Sequence, residues 1–274
     1  MRIVRTVADA RAAVAAARRA AARHVGFVPT MGALHAGHLK LMRMARAGCD
    51  LVVTSIFVNP RQFNDPKDLA AYPRREPEDA AIADSARVDL LFVPEAAEIY
   101  PNGHATSIDM GGAALEFEGA ARPGHFSGVA TVCLKLFNII EPNVVYFGQK
   151  DAQQVAVIRQ LIRDMNLDVS LEVGPTVRDP DGLALSSRNA RLSPDERRRA
   201  LAIPRALTQG LAAHRHGDDP AAAARAVLAD LTVDYVGVAT FDGEPTLVIA
   251  ARSGATRLID NIPLDRPELA GLRF

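Results

Sequence analysis

Cysteine is scarce in this chain of 274 residues: Cys49 and Cys133 are the only two. They lie far apart and form no Cys-x-x-Cys, which excludes a fold stapled by disulfides. Both fall within apolar helical patterns and read as buried free thiols in a reducing compartment. Net charge is missing as well. Lys+Arg and Asp+Glu each total 32, so no overall field draws the chain toward nucleic acid or a membrane surface. No apolar run approaches the roughly 20 residues of a membrane span, and no secretory signal opens the sequence, so a cytoplasmic location is expected. Residues 1–24 are rich in Arg and Ala and superficially resemble a transit peptide, but Thr6-Val7-Ala8-Asp9 fits a helix-capping pattern and a docked first helix is expected there.

Several catalytic signatures are absent too. There is no GxxxxGK[ST] phosphate loop, no Gly-rich dinucleotide fingerprint and no His-Glu-x-x-His. Gly-x-Ser-x-Gly is missing, and neither cysteine has the flanks of a catalytic thiol. Covalent nucleophilic catalysis and helix-borne zinc hydrolysis are therefore not expected. Lysine is rare: only four of the 32 basic residues are lysines, Lys40, Lys67, Lys135 and Lys150.

What the chain does contain centres on Phe27-Val28-Pro29-Thr30-Met31-Gly32-Ala33-Leu34-His35-Ala36-Gly37-His38. Val25 to Val28 read as a short buried strand, and the apolar stripe from Leu39 to Ala45 has helical spacing. A small-residue turn thus opens a helix whose first turn carries two histidines three residues apart, both on one face. Helix N-termini attract anions, and Gly32 and Gly37 permit close approach to the backbone. The pair suggests a phosphate group whose charge grows during reaction.

Further along, helices are expected at about 7–23, 36–47, 77–87, 126–140 and 151–165. Strands are expected at 51–58, 90–93, near 105–109, at 144–147 and at 169–173. Asn59 to Arg74 reads as a loop. Strands alternating with helices imply a parallel, doubly wound α/β sheet, with ligands at the C-terminal strand edge. His35 and His38, Asn59 and Gln62, and Lys150-Asp151 each follow a predicted strand, so three polar clusters would meet at that edge. A polar connector then leads to helices at about 194–214 and 219–230 and strands at 233–240, 247–251 and 256–260. These suggest a smaller C-terminal α+β domain, dividing the chain into 1–176 and 177–274.

In so Arg-biased a chain, Lys150 beside Gly148 suits a compact ammonium on phosphate. Asp151 has two open readings, a Mg²⁺ ligand or a helix N-cap. Ser186-Ser187-Arg188 offers hydroxyls and a guanidinium for triphosphate oxygens. Gln62 and Gln154 are neutral donors and acceptors for a hydroxylated or carboxylate substrate. Arg122-Pro123-Gly124-His125 either edges the same pocket or starts the next helix. Positive and polar groups without a covalent catalyst suit nucleotidyl transfer, where positioning and charge stabilisation dominate.

PTMGALHAGH, SIFVNPRQF, YPR at 72–74, RPGHF, FGQKDAQQ and LALSSRN, in this order, resemble the bacterial pantothenate synthetase (pantoate–β-alanine ligase) family, nucleotidyltransferases with the His-x-Gly-His motif. The resemblance covers nearly the whole chain. It implies a Rossmann-like domain with a C-terminal lid, a homodimer, and condensation of pantoate with β-alanine through pantoyl adenylate, with ATP as substrate and Mg²⁺ as cofactor. It further implies that Met31, Gly32, Ala33, Leu34, His35, Ala36, Gly37 and His38 line the ATP site, with His38 at the proton donor's position. Gly148, Gln149, Lys150, Asp151, Val177, Leu185, Ser186, Ser187 and Arg188 would complete that site. Gln62 would contact pantoate and β-alanine, and Gln154 pantoate. His35, His38, Lys150 and Arg188 would absorb charge developing on the phosphates. Leu185 stands where Met is usual, Gln149 where Glu is common, and Arg61 adds a charge at a variable position. A simpler adenylyl- or cytidylyltransferase shares the His-x-Gly-His helix start; Gln62, Gln154 and the C-terminal domain favour the ligase.

Overall fold

The computed structural model describes residues 1–272. In chain order the elements are β1 (Arg2–Val4), α1 (Val7–Arg19), β2 (Val25–Thr30), α2 (Ala36–Gly48), β3 (Leu51–Ile56), α3 (Pro66–Ala70), α4 (Glu76–Ser85), β4 (Leu90–Phe92), α5 (Ala96–Ile99), α6 (Glu118–Ala121) and α7 (His125–Ile140). They continue with β5 (Val144–Gly148), α8 (Ala152–Asp164), β6 (Ser170–Gly174), α9 (Pro194–Ala200), α10 (Ala202–His216), α11 (Pro220–Val227), β7 (Thr232–Phe241), β8 (Glu244–Ser253) and β9 (Thr256–Pro263). The chain forms two compact units, one of residues 1–147 and 154–174, the other of 148–153 and the residues from 175 onward. No helix among the described residues is long and apolar enough to cross a membrane.

The first unit holds a six-stranded sheet in the order β1-β4-β3-β2-β5-β6. The pairings of β1 with β4, β4 with β3, β3 with β2 and β2 with β5 are all parallel. Strands buried on both faces need apolar residues at successive positions; Phe27, Val28, Val52, Val53, Leu91 and Phe92 are all fully buried. Strand order reverses at β2: the chain runs outward through β3 and β4 on one side and through β5 and β6 on the other. The loops leaving β2 and β3 emerge at the same edge, with Thr30 opposite Ile56. A switch point of this kind leaves a crevice at the carboxyl ends of the strands.

Caps follow sequence chemistry. Thr6 accepts from the Asp9 amide at the start of α1, and Ser193 and Glu196 form a reciprocal capping box at α9. Other expectations need correction. The helix expected over 194–214 is two, broken at Leu201, because Pro204 lacks an N–H and fits only within the first turn of a new helix. Helix α1 ends at Arg19, after which Ala21 turns left-handed at φ 84°. Residues 105–109 form no strand, and the 59–74 loop contains α3 and a 3₁₀ turn, Pro60–Gln62. Cys49 is not helical; it caps α2 in extended conformation. Strand β1, which the sequence reading did not anticipate, adds three residues beside β4.

Helix α7 packs on the Pro60–Gln62 turn through Gly128. A Cβ there would lie 2.4 Å from the Arg61 carbonyl oxygen and 2.9 Å from Gln62 Cα. Gly128→Ala should therefore cost about 1–3 kcal/mol by overpacking, read as a lowered midpoint in chemical denaturation. Both cysteines are free and buried, and burial pushes the Cys133 thiol up to about 12. Only the thiolate reacts, so Ellman's reagent at pH 8 should label Cys133 after unfolding and leave it unmodified in the native protein.

In the second unit β7, β8 and β9 form an antiparallel sheet. Its core is built from Ile203, Leu207 and Leu211 of α10, Leu228, and sheet residues such as Leu247, Ile249 and Ile262.

Candidate active site

The loop from β2 to α2 sits at the switch point, and its polar groups are spoken for in an unexpected way. Helix α2 is capped by its own histidines. His35 Nδ1 accepts from the Gly37 amide at 3.1 Å, and His38 Nδ1 accepts from the His35 amide at 3.2 Å. The rings pack with centroids 4.1 Å apart. A ring nitrogen that accepts an N–H carries no proton of its own, so each neutral imidazole holds its proton on Nε2. To become imidazolium, either ring would have to release its cap bond.

The preceding turn is held from the other side by Asp79, a carboxylate only 2% exposed. Its two oxygens accept from the Ala33 amide at 2.9 Å and the Leu34 amide at 2.7 Å. Asp79 lies in the first turn of α4, where the helix dipole favours a negative group. Gly32 adopts φ +81°, and a Cβ on it would come within 2.9 Å of an Asp79 oxygen. Its amide donates to Thr30 Oγ1 at 3.1 Å. Five loop amides, those of Gly32, Ala33, Leu34, His35 and Gly37, thus have partners inside the protein. The loop's shape is therefore held by bonds to its own backbone donors, with both histidine Nδ1 atoms engaged at the head of α2.

Gln62 closes the turn after β3 and is buried. Asn59 Nδ2 donates to its Oε1 at 3.0 Å and to the Gly128 carbonyl at 3.1 Å. Tyr100 donates its hydroxyl proton to Asn59 Oδ1 at 2.9 Å. With Oε1 engaged, the Gln62 amide is oriented to donate through Nε2. His125 Nδ1 and Arg122 both reach the Gln62 carbonyl, at 2.9 and 3.2 Å, so the Arg122–His125 stretch starts α7 and also braces this turn. Gln154 is half-buried near the start of α8.

The remaining anticipated residues belong to the second unit. Gly148 leads into a 3₁₀ turn, Gln149–Asp151. Asn261 of β9 fixes its backbone, donating to the carbonyls of Gln149 and Lys150 at 2.9 and 2.8 Å, and it accepts from Gln149 Nε2 at 3.1 Å. Lys150 Nζ lies 3.3 Å from Asp151 Oδ1. Lys150, Ser186 and Arg188 line one hollow with Arg257 and Asp260. Ser186 caps the 3₁₀ turn Ser187–Arg191, accepting from the Arg188 amide. Val177 and Leu185 are joined by a backbone bond beneath it, from the Leu185 amide to the Val177 carbonyl at 2.9 Å. Arg178 and Asp260 form a two-pronged pair at 2.7 and 3.0 Å, both almost wholly buried. Sequence reasoning missed Asp79, Asn261, Arg257 and Asp260. Asp79 alone left a trace, a carboxylate in a helix's first turn.

Comparison with known proteins now bears on this geometry. The family model for pantoate-beta-alanine ligase matches residues 2–263. The chain belongs to the pantoate–beta-alanine ligase family. Pantothenate synthetases from Rhizorhabdus wittichii and from a Roseiflexus species are each 50% identical to it, over 97% of this chain and 99% and 100% of theirs. The crystal structure of pantothenate synthetase from Thermus thermophilus matches with a TM-score of 0.89 at 41% identity, covering 96% of this chain and 99% of that one. The Francisella tularensis pantoate-beta-alanine ligase, solved with a β,γ-ATP compound and β-alanine, matches at 0.82 and 37%, covering 97% and 98%. The chain is a ligase that condenses pantoate with β-alanine in an ATP-dependent reaction.

Asp79→Ala would strand the buried Leu34 amide, worth about 1–3 kcal/mol, and the part-buried Ala33 amide, worth less. It should lower the denaturation midpoint and cut the ligase rate at saturating ATP at least roughly tenfold, since the β2–α2 loop would lose the contacts that fix its shape. An unchanged rate would mean that the loop holds its shape without Asp79.

Proposed function

We propose that the reaction runs through pantoyl adenylate and that the first unit supplies neutral imidazole donors while the second supplies permanent cations. The capping pair at His35 and His38 carries this reading. In the first step a pantoate carboxylate oxygen attacks the α-phosphorus of ATP, the bond to the bridging oxygen breaks, and pyrophosphate leaves with the electron pair. Negative charge grows on the phosphate oxygens. Nε2–H groups of His35 and His38 meet it as donors already aimed by their cap bonds, so little reorganisation is needed at the moment of reaction. In this reading His38 serves as a charge-stabilising donor, and leaving pyrophosphate needs no proton from it.

Lys150, Ser186, Ser187 and Arg188 serve the triphosphate, with Lys150 as a point charge and Arg188 as a planar fork. Gly148, Gln149, Val177 and Leu185 contribute backbone and packing to the same nucleotide. Gln62 and Gln154 orient pantoate through neutral hydrogen bonds, which spares its carboxylate from an ion pair that would blunt its nucleophilicity. In the second step the β-alanine amine attacks the acyl carbon, AMP departs, and the amine loses a proton.

For Mg²⁺, the second unit offers one carboxylate among the anticipated residues, Asp151, already within reach of Lys150. No group of three or more His, Cys, Asp or Glu side chains among the described residues could hold a metal. That donor set fits an ion carried mainly by phosphate oxygens, with Asp151 as its protein ligand. Bound there it would neutralise phosphate charge. A lid role for the second unit, a homodimer and a cytoplasmic location accompany this reading through the family resemblance.

His38→Ala and Lys150→Ala should each slow pantoate-dependent ATP–pyrophosphate exchange by roughly 10²–10³, the usual loss for one preorganised donor. Near-normal exchange in both variants would remove them from the mechanism. AMP should accumulate only when pantoate and β-alanine are both supplied; steady AMP release with pantoate alone would contradict the amine-transfer step.

A further inference from the structure

Beside Gln62 lies a group of basic side chains that the adenylation chemistry leaves unused. Arg61 and Lys135 both face the ring of Tyr100, with the guanidinium carbon 5.4 Å and the ammonium nitrogen 5.8 Å from its centroid. His104 packs edge-on against the same ring at 5.0 Å, and its Nδ1 lies 3.0 Å from Arg61 Nη1. Guanidinium can only donate, so His104 accepts through Nδ1 and keeps its proton on Nε2. None of Arg61, Lys135 and His104 forms an ion pair with a carboxylate among the described residues. Partial burial, then the charges of Lys135 and Arg61, hold the His104 imidazole below its usual value.

The Tyr100 ring face attracts both cations, and Arg61 Nη1 donates to the Thr106 carbonyl at 3.4 Å, but no carboxylate among the described residues balances the two charges, so the cluster suits an anion. The cluster is tied to the substrate turn: Arg61 precedes Gln62 in the chain, and the Tyr100 hydroxyl reaches Gln62 through Asn59. We infer that Arg61, Lys135 and His104 form a recognition site for the carboxylate of the amine-bearing substrate. The choice of anion rests on the adenylation reading and follows from its chemistry. Pantoate's carboxylate must stay nucleophilic and is consumed, so cations gripping it would oppose attack. The β-alanine carboxylate stays ionised throughout, and holding it lets the amine end reach the acyl carbon.

Arg61 is exposed, so its replacement leaves the fold intact. In Arg61→Met the KM for β-alanine should rise about tenfold, the loss of one charge-assisted hydrogen bond. The KM for β-alaninamide, which has the same amine but no carboxylate, should stay within twofold. Arg61→Lys should recover most of the β-alanine effect, and pantoate-dependent pyrophosphate exchange, which needs no acceptor, should be unaltered in both variants. An unchanged KM for β-alanine, or equal shifts for the two acceptors, overturns the inference. Loss of exchange in Arg61→Met would place the cluster on pantoate's carboxylate and overturn it equally. Absence of exchange in the unaltered enzyme would instead overturn the adenylation reading beneath it.

Discussion

Two hydrogen bonds that Asp79 accepts from the amides of Ala33 and Leu34 set the shape of the loop at the first unit's switch point. They turn the chain sharply enough for His35 to become the N-cap of α2, and the cap in turn draws His38 back onto the His35 amide. A carboxylate as deeply buried as Asp79 is costly to keep charged. Its charge, however, is spread over two backbone donors and the start of α4, which lowers the cost of keeping it there. The Nδ1 atoms of both imidazoles are thereby occupied.

The second unit solves a similar problem with different chemistry. A short 3₁₀ turn has few bonds of its own to fix a lysine, and Asn261 supplies three, two to carbonyls and one to Gln149. Asp260, next in the chain, is committed to Arg178 in a buried pair whose loss on one side would cost about 3–5 kcal/mol. Gln149 donates through Nε2 to Asn261 Oδ1 and accepts from Asn261 Nδ2 at its backbone carbonyl.

Much of this was legible in the sequence because it rests on local rules. Continuous apolar runs at 51–58 and 144–147 gave buried parallel strands, and the Thr6 and Ser193 caps marked their helices. His35 and His38 were evident from spacing after a strand, and Lys150 from the rarity of lysine. What escaped depends on distance in the chain. Asp79 is 45 residues from Leu34, and Asn261 is 112 from Gln149, so neither has a pattern that a window could detect. Strand β1 is too short to show a period, and residues 105–109 have no partner strand among the described residues. The direction of the histidine protons was beyond the sequence for the same reason, since it depends on which nitrogen meets the backbone.

The central claim is therefore about tautomers: both imidazoles at the head of α2 accept at Nδ1 and carry a proton on Nε2. Long-range ¹H–¹⁵N correlation spectra of ¹⁵N-histidine-labelled protein, assigned with His35→Gln and His38→Gln, read this directly. The account predicts for each ring one nitrogen at the shift of an unprotonated acceptor, identified as Nδ1 by its couplings, and one at that of a protonated Nε2. Two protonated nitrogens on either ring, or a proton on Nδ1, would contradict it.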